Sequence, residues 1–297
     1  MIKIQFLGTG SMVPTKERNH SSILLTYNGD KILIDCGEGT QRQIRMIKEK
    51  PTKIKKILIS HWHGDHVLGL PGLLQTMAAN EYNKKLEIYG PKKSKKNFKY
   101  MLKSFSKEKI INFKIKEVKN DIICNEKDYT ISCIELKHGI KTIGYSFQEK
   151  DTRKMNLEYL KKIGLEKNPI LKKLQQGKDI KWKNKIIKAE KATILKKGKK
   201  ITYIPDTSFC QNAIKLAKNS DILICESTYD ANKIDEAKKY KHLTSTQAAE
   251  IAKQSNSKHL ILTHFSQRYK NTKGLCNQAK KIFKNTDCAK DFSLFTL

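Results

Sequence analysis

Ser60-His61-Trp62-His63-Gly64-Asp65-His66 places four side chains able to ligate a metal within six residues, directly after the apolar run KIKKILIS (53–60). Packing alone does not call for that density of imidazole and carboxylate. If the chain leaves a buried strand still extended, His61 and His63 face one side by the two-residue period of a strand. A turn at Gly64 then swings Asp65 and His66 toward another side. One side can hold one metal ion and the other a second. Imidazole and carboxylate without thiolate suit zinc, with manganese or iron as weaker alternatives, and leave open positions for water.

On either side of this stretch the apolar pattern predicts short strands. They fall at IKIQFLG (2–8), SSILLTY (21–27) and KILIDCG (31–37), the last two joined by an Asn28-Gly29-Asp30 turn with hairpin chemistry. Residues Leu68 to Asn80 suit a helix with Pro71 in its first turn. Further strands are expected at KLEIYG (85–90), INFKIKEV (111–118), YTISCIEL (129–136) and TIGYSFQE (142–149). A similar program restarts with the strand KKITYIPD (199–206), the helix QNAIKLAKN (211–219), the strand DILICEST (221–228), the helix STQAAEIAKQS (245–255) and the strand HLILTH (259–264). Two β-rich halves with outer helices predict an α/β (α+β) chain, a four-layer αββα sandwich forming a single domain over 1–297.

The chain carries 60 Lys and Arg against 29 Asp and Glu, a net charge of +31, which favours a polyanionic partner. Only five of the basic residues are arginine, so a general drift toward lysine could supply much of the excess. Four of those five, Arg18, Arg42, Arg45 and Arg268, nonetheless lie in or beside motifs, and bidentate phosphate recognition is a task for arginine. Residues 150–200 hold 18 basic and five acidic side chains, a net of +13, with only a short helical candidate near Leu157–Leu174. An inserted flexible arm over 148–190, its basic side in solvent, accounts for that composition. Seven scattered cysteines, without a CxxC pair, suggest reduced thiols rather than a disulfide framework. No apolar stretch approaches a membrane span, and MIKIQFLGTG lacks the apolar core of a signal peptide, so a soluble cytoplasmic protein is expected.

The His-x-His-x-Asp-His run resembles the signature of the metallo-β-lactamase superfamily. That resemblance implies further ligands at strand ends: His138 after ISCIELK, Asp206 after KKITYIP and His264 after HLILT. One ion would take His61, His63, His138 and Asp206, and the other Asp65, His66, Asp206 and His264, with Asp206 bridging. Five of the chain's eight histidines fall on these positions.

The flanks are similar to the ribonuclease Z family nearly end to end. The matching stretches are Phe6-Leu7-Gly8-Thr9-Gly10, Pro14-Thr15-Lys16-Glu17-Arg18-Asn19 and Asp35-Cys36-Gly37-Glu38-Gly39-Thr40-Gln41, followed by Gly69-Leu70-Pro71-Gly72-Leu73-Leu74. Cys225-Glu226-Ser227-Thr228, His242-Leu243-Thr244-Ser245 and Thr263-His264-Phe265-Ser266-Gln267-Arg268-Tyr269 complete the set. Pro205, Cys225 and Asn168-Pro169 depart from the family's usual Gly, His and Gly-Pro. The resemblance implies an endoribonuclease that removes the 3′ trailer from precursor tRNA, leaving a 3′-hydroxyl on the tRNA and a 5′-phosphate on the trailer. It further implies two zinc ions per subunit, and a homodimer in which the 148–190 arm of one subunit serves its neighbour as a tRNA-binding exosite. Asp65 would both ligate metal and handle the nucleophile's proton, while His242, positioned by Glu226, would protonate the leaving oxygen. Lys16, Arg18, Asn19 and Arg268 would contact substrate, and Asp35 would orient a histidine ligand. The competing readings are a phosphodiesterase of the same fold acting on small or other RNA substrates, and an RNA-binding protein without catalysis.

Overall fold

The computed structural model describes residues 1–105 and 110–297. In chain order the strands are β1 (Ile2–Gly8), β2 (Ser22–Tyr27), β3 (Asp30–Ile34), β4 (Ile54–Leu58), β5 (Leu86–Gly90), β6 (Phe113–Glu117), β7 (Asp121–Asn125), β8 (Tyr129–Glu135) and β9 (Ile143–Glu149). Four short ones follow, β10 (Thr152–Met155), β11 (Ile180–Trp182), β12 (Lys185–Ile187) and β13 (Thr193–Lys196). The last five are β14 (Lys200–Ile204), β15 (Ile222–Glu226), β16 (Leu260–Thr263), β17 (Thr286–Cys288) and β18 (Leu294–Thr296).

Two seven-stranded sheets result, ordered β18-β1-β2-β3-β4-β5-β6 and β17-β16-β15-β14-β9-β8-β7. The β2–β3 connection turns on Asn28 and Gly29 at φ 48° and 83°, the paired left-handed backbone that a two-residue hairpin requires. From β3 to β6, and again from β14 to β17, neighbouring strands run parallel. Parallel strands need crossovers, and helices supply them. Helix Leu70–Ala79 has Pro71 in its first turn and buries Leu70, Leu73, Leu74 and Met77 against Leu33, Ile57 and Ile88 of the first sheet. Helices Gln211–Ala217 and Ser245–Gln254 bury Leu216 and Ile251 against Leu223 and Leu262 of the second. Thr244 and Gln247 close a reciprocal capping box at the start of the latter helix. The inner faces meet, with Tyr27 and Phe147 in edge-on contact at 5.4 Å. Each fully buried Leu or Ile contributes about 1.5–3 kcal/mol. The layers are thus the expected αββα.

Two compact units emerge from the contacts. One comprises residues 1–125, 131–147 and 200–297, and carries both large sheets. The other comprises 126–130 and 148–199. It holds the two-stranded pairs β10–β13 and β11–β12 and helices Leu157–Lys162, Leu171–Gln175 and Ala189–Ala192. Leu160, Leu165, Leu174, Ile180 and Ile187 give it a small core of its own.

Candidate metal centre

Strands that run parallel deliver their carboxyl ends to one rim, where an α/β sheet places its functional loops. Asp35 follows β3, His61 to His66 follow β4, His138 follows β8, Asp206 follows β14, Glu226 ends β15 and His264 follows β16. Asp35 and His264 take left-handed backbone, φ 56° and 59°, although neither is glycine. Such strain persists where surrounding contacts over-determine it, and it concentrates at functional sites. Close approach of the loops depends on Gly37, where a Cβ would meet the Asp65 carbonyl oxygen at 2.5 Å.

Two groups of ligating atoms converge, His61, His63, His138 and Asp206 in one, and Asp65, His66, Asp206 and His264 in the other. His63 Nδ1 lies 3.1 Å from His61 Nε2 and 3.3 Å from His138 Nε2. Nε2 atoms of His66 and His264 are 3.3 Å apart. Asp206 faces both groups: Oδ2 is 3.5 Å from His61 Nε2, and Oδ1 is 3.1 Å from His264 Nε2. Ligands about 2.1 Å from a tetrahedral ion stand about 3.4 Å from one another, which these separations match. Oδ1 of Asp65 and Oδ1 of Asp206 are buried without a hydrogen-bond partner, so the 3.1 Å approach to His264 is proximity without alignment. Buried carboxylate oxygens aimed at imidazole lone pairs are what divalent cations satisfy. The donor set fits them.

Outward-facing hydrogen bonds decide which ring nitrogen each histidine presents. Asp35 accepts from His66 Nδ1 at 2.8 Å and from the Ser60 hydroxyl at 2.8 Å, and Ser60 Oγ lies 3.0 Å from His61 Nδ1. Glu226 accepts from His242 Nδ1 at 3.0 Å and from the Thr228 hydroxyl at 2.8 Å, and Thr228 Oγ1 lies 2.9 Å from His264 Nδ1. Each buried carboxylate therefore holds one histidine directly and another through a hydroxyl that has donated its only proton. His138 Nδ1 donates to the Lys241 carbonyl at 2.8 Å. In His61, His66, His138 and His264 the proton is thus on Nδ1 and Nε2 points inward, whereas His63 presents Nδ1.

Electrostatics within the cluster are divided. Burial, then the neighbouring imidazoles, hold His61 and His63 below the usual histidine range. Burial also opposes charge on His66, but the Asp65, Asp206 and Asp35 carboxylates outweigh it and raise that pKa well above the usual value. Asp65 and Asp206 would be driven up by burial, yet the surrounding imidazoles hold both well below the carboxylate range. His242 is pulled down by burial and pushed up further by Glu226 and Asp206, to about 9.

The remaining sequence candidates spread out. Lys16 is exposed. Arg18 is buried and donates from Nη2 to the carbonyls of Tyr269 at 2.7 Å and Ser266 at 3.4 Å, so its guanidinium ties two motifs together. Asn19 donates to the Glu38 carbonyl at 2.8 Å. Arg268 lies over the Tyr229 ring at 5.0 Å. His20 is buried against the Met12 carbonyl and His259 pairs with Asp287. Sequence reasoning missed Ser60, Tyr203, which donates to Asp35 at 3.0 Å, and Thr228 as a hydroxyl relay. Ser60, beside the histidine motif, and Thr228, in the Cys225-Glu226-Ser227-Thr228 stretch, carried a signal by position; Tyr203 carried none.

Paired sheets with two metal-ready groups at the strand ends define a metallo-β-lactamase-fold hydrolase. A metallo-β-lactamase fold protein from Bacillus subtilis superposes with a TM-score of 0.72 at 19% identity, covering 99% of this chain and 98% of that one. A family model described as Anti-Pycsar protein Apyc1 matches residues 2–288. Ribonuclease Z of Methanothermobacter thermautotrophicus is 37% identical, over 98% of this chain and 95% of the relative. The short form of human tRNase Z superposes with a TM-score of 0.73 at 27% identity, covering 99% of this chain and 98% of that one. The chain belongs to the ribonuclease Z family of endoribonucleases and also matches the Anti-Pycsar protein Apyc1 family over residues 2–288.

Proposed function

We propose that this enzyme removes the 3′ trailer from precursor tRNA with two zinc ions, leaving a 3′-hydroxyl on the tRNA and a 5′-phosphate on the trailer. The observation that carries the reading is Asp206 facing two complete ligand groups with the Glu226–His242 pair beside them. Divalent cations held by those groups would polarise the phosphoryl oxygens and lower the cost of making hydroxide from water near neutral pH. Asp65 would turn Oδ2, 3.2 Å from His264 Nε2, to the second ligand group and use Oδ1, buried and without a partner, to align the attacking water and take its proton. His242 gives Nδ1–H to Glu226, which leaves Nε2 to deliver a proton to the departing ribose oxygen. Asp35, Ser60 and Thr228 do not meet the substrate; they keep the inner nitrogens aimed. Phosphate contacts from Lys16, Arg268 and the basic 148–190 segment belong to the same reading, as does a homodimer working in the cytoplasm. Among the described residues no helix is long and apolar enough to cross a membrane.

Cleavage of an end-labelled precursor tRNA, with and without chelator, beside an Asp65→Ala variant and a small phosphodiester, tests the proposal. A discrete metal-dependent cut near the discriminator base, lost in the variant, is the expected result. An intact precursor beside a hydrolysed phosphodiester would replace it with a small-substrate phosphodiesterase.

A further inference from the structure

Beside the first ligand group lies a cleft of about 1140 Å3, with His63 and His138 in its wall. That volume exceeds the roughly 300–1,000 Å3 of a small-molecule site. Its charge is strongly one-sided. Lys119 and Lys141 share the single carboxylate of Glu135, at 3.2 and 2.6 Å, whereas Lys92, Lys93 and Lys137 are exposed and make no ion pair among the described residues. Trp62 also lines the cleft, its indole fixed by a 2.8 Å hydrogen bond to Ser94 Oγ and an edge-on contact with Phe98. Unpaired cations along a groove, with a rigid aromatic ring in its wall, are the two elements of single-strand binding: ammonium groups follow the phosphates and the ring stacks on a base.

The position of the cleft relative to His242 decides which strand enters it. The rings of His63 and His242 each lie 5.1 Å from the ring of His138, while only His63 and His138 border the cleft. His242 serves the departing 3′-oxygen, so the tRNA body lies on its side, and the phosphate remains with the downstream chain. We propose that the cleft holds the single-stranded trailer downstream of the scissile phosphate, with Lys92, Lys93 and Lys137 on its phosphates. This assignment rests on the trailer-removal reading above.

Two precursors differing only in trailer length, one nucleotide against about ten, test it when given to wild type and to a Lys92→Gln/Lys93→Gln/Lys137→Gln variant. The three positions are exposed, so the fold should survive. For the long trailer the variant's KM should rise about tenfold, and the slope of log KM on log salt should become shallower by about 2, the effect of three lost single-strand phosphate contacts. The one-nucleotide precursor should change less than about twofold. Equal losses on both precursors, or none on either, would overturn the assignment while leaving trailer removal intact. A wild type that cuts neither precursor would overturn both.

Discussion

His264 Nδ1 stands 2.9 Å from the Thr228 hydroxyl, which is itself committed to Glu226 at 2.8 Å. The hydroxyl can therefore only accept from the histidine, and His264 is locked with its Nε2 lone pair facing Asp65 and Asp206. Thr228→Val keeps the shape and deletes the acceptor. Metal affinity should fall on the order of 10- to 100-fold, the usual cost of losing a group that orients a ligand, and Thr228→Ser should restore it. Competition with a chromogenic chelator reads both; unchanged affinity in the valine variant would remove the relay from the account.

Asp35 is fully buried and accepts from His66, from the Ser60 backbone and hydroxyl, and from Tyr203. Replacing it with asparagine retains a residue type that tolerates left-handed backbone, but puts an amide NH2 among donors. Stability measured by denaturant in the presence of chelator should drop by about 1–3 kcal/mol, the penalty for buried polar groups left unpaired. Metal loading should weaken as well. A variant as stable as wild type would mean that water or a side-chain rearrangement satisfies those donors.

Much of this site was legible because its ligands sit at ends of apolar runs, where strand period and sequence position coincide. His61, His138, Asp206 and His264 each follow such a run, and the described strands β1, β4, β8, β14 and β16 lie where the apolar pattern put them. The hydroxyl relay was not legible. Thr228 meets His264 across 36 residues and Tyr203 meets Asp35 across 168; the motif around Thr228 marks its position but not its partner, and nothing local distinguishes Tyr203 from other hydroxyls. Edge strands β7, β17 and β18 and helices Ser94–Phe105 and Lys273–Lys280 also went unread, because lysine-rich surfaces and short spans blur the apolar period. Arg18 adds a role that its motif did not show: its Nη2 holds two backbone carbonyls, those of Ser266 and Tyr269.

If His242 is the acid, it works only while protonated, and its pKa near 9 depends on the Glu226 and Asp206 carboxylates outweighing burial. In wild type, kcat should hold through neutral pH and fall as pH rises through that value. Glu226→Gln removes the negative charge, so the descending limb should move to lower pH by about one unit or more, with a loss at pH 7 of about 10- to 100-fold. Reading kcat against pH for the two proteins distinguishes this from a structural defect, which would lower the plateau and leave the limb in place.

The segment between Glu149 and Lys199 can be excised cheaply, because its two ends are already paired. Glu149 N donates to the Lys199 carbonyl at 2.8 Å, and Thr152 stands opposite Lys196 in an antiparallel ladder. Replacing residues 153–195 with Asn-Gly would close that ladder as a two-residue hairpin, without disturbing β9 or β14. The excised stretch carries its own core of Leu160, Leu165 and Leu174, so no side chain of that core is stranded behind. If its positive charge grips the body of the tRNA, KM for precursor tRNA should rise by about 100-fold or more, with a weaker salt dependence. Hydrolysis of a small phosphodiester needs only the ligand groups and should persist within about twofold, since uniform substrate binding and chemistry separate in this way. Loss of both activities would make the segment a structural support of the active site; retention of both would return its lysines to the general drift in composition.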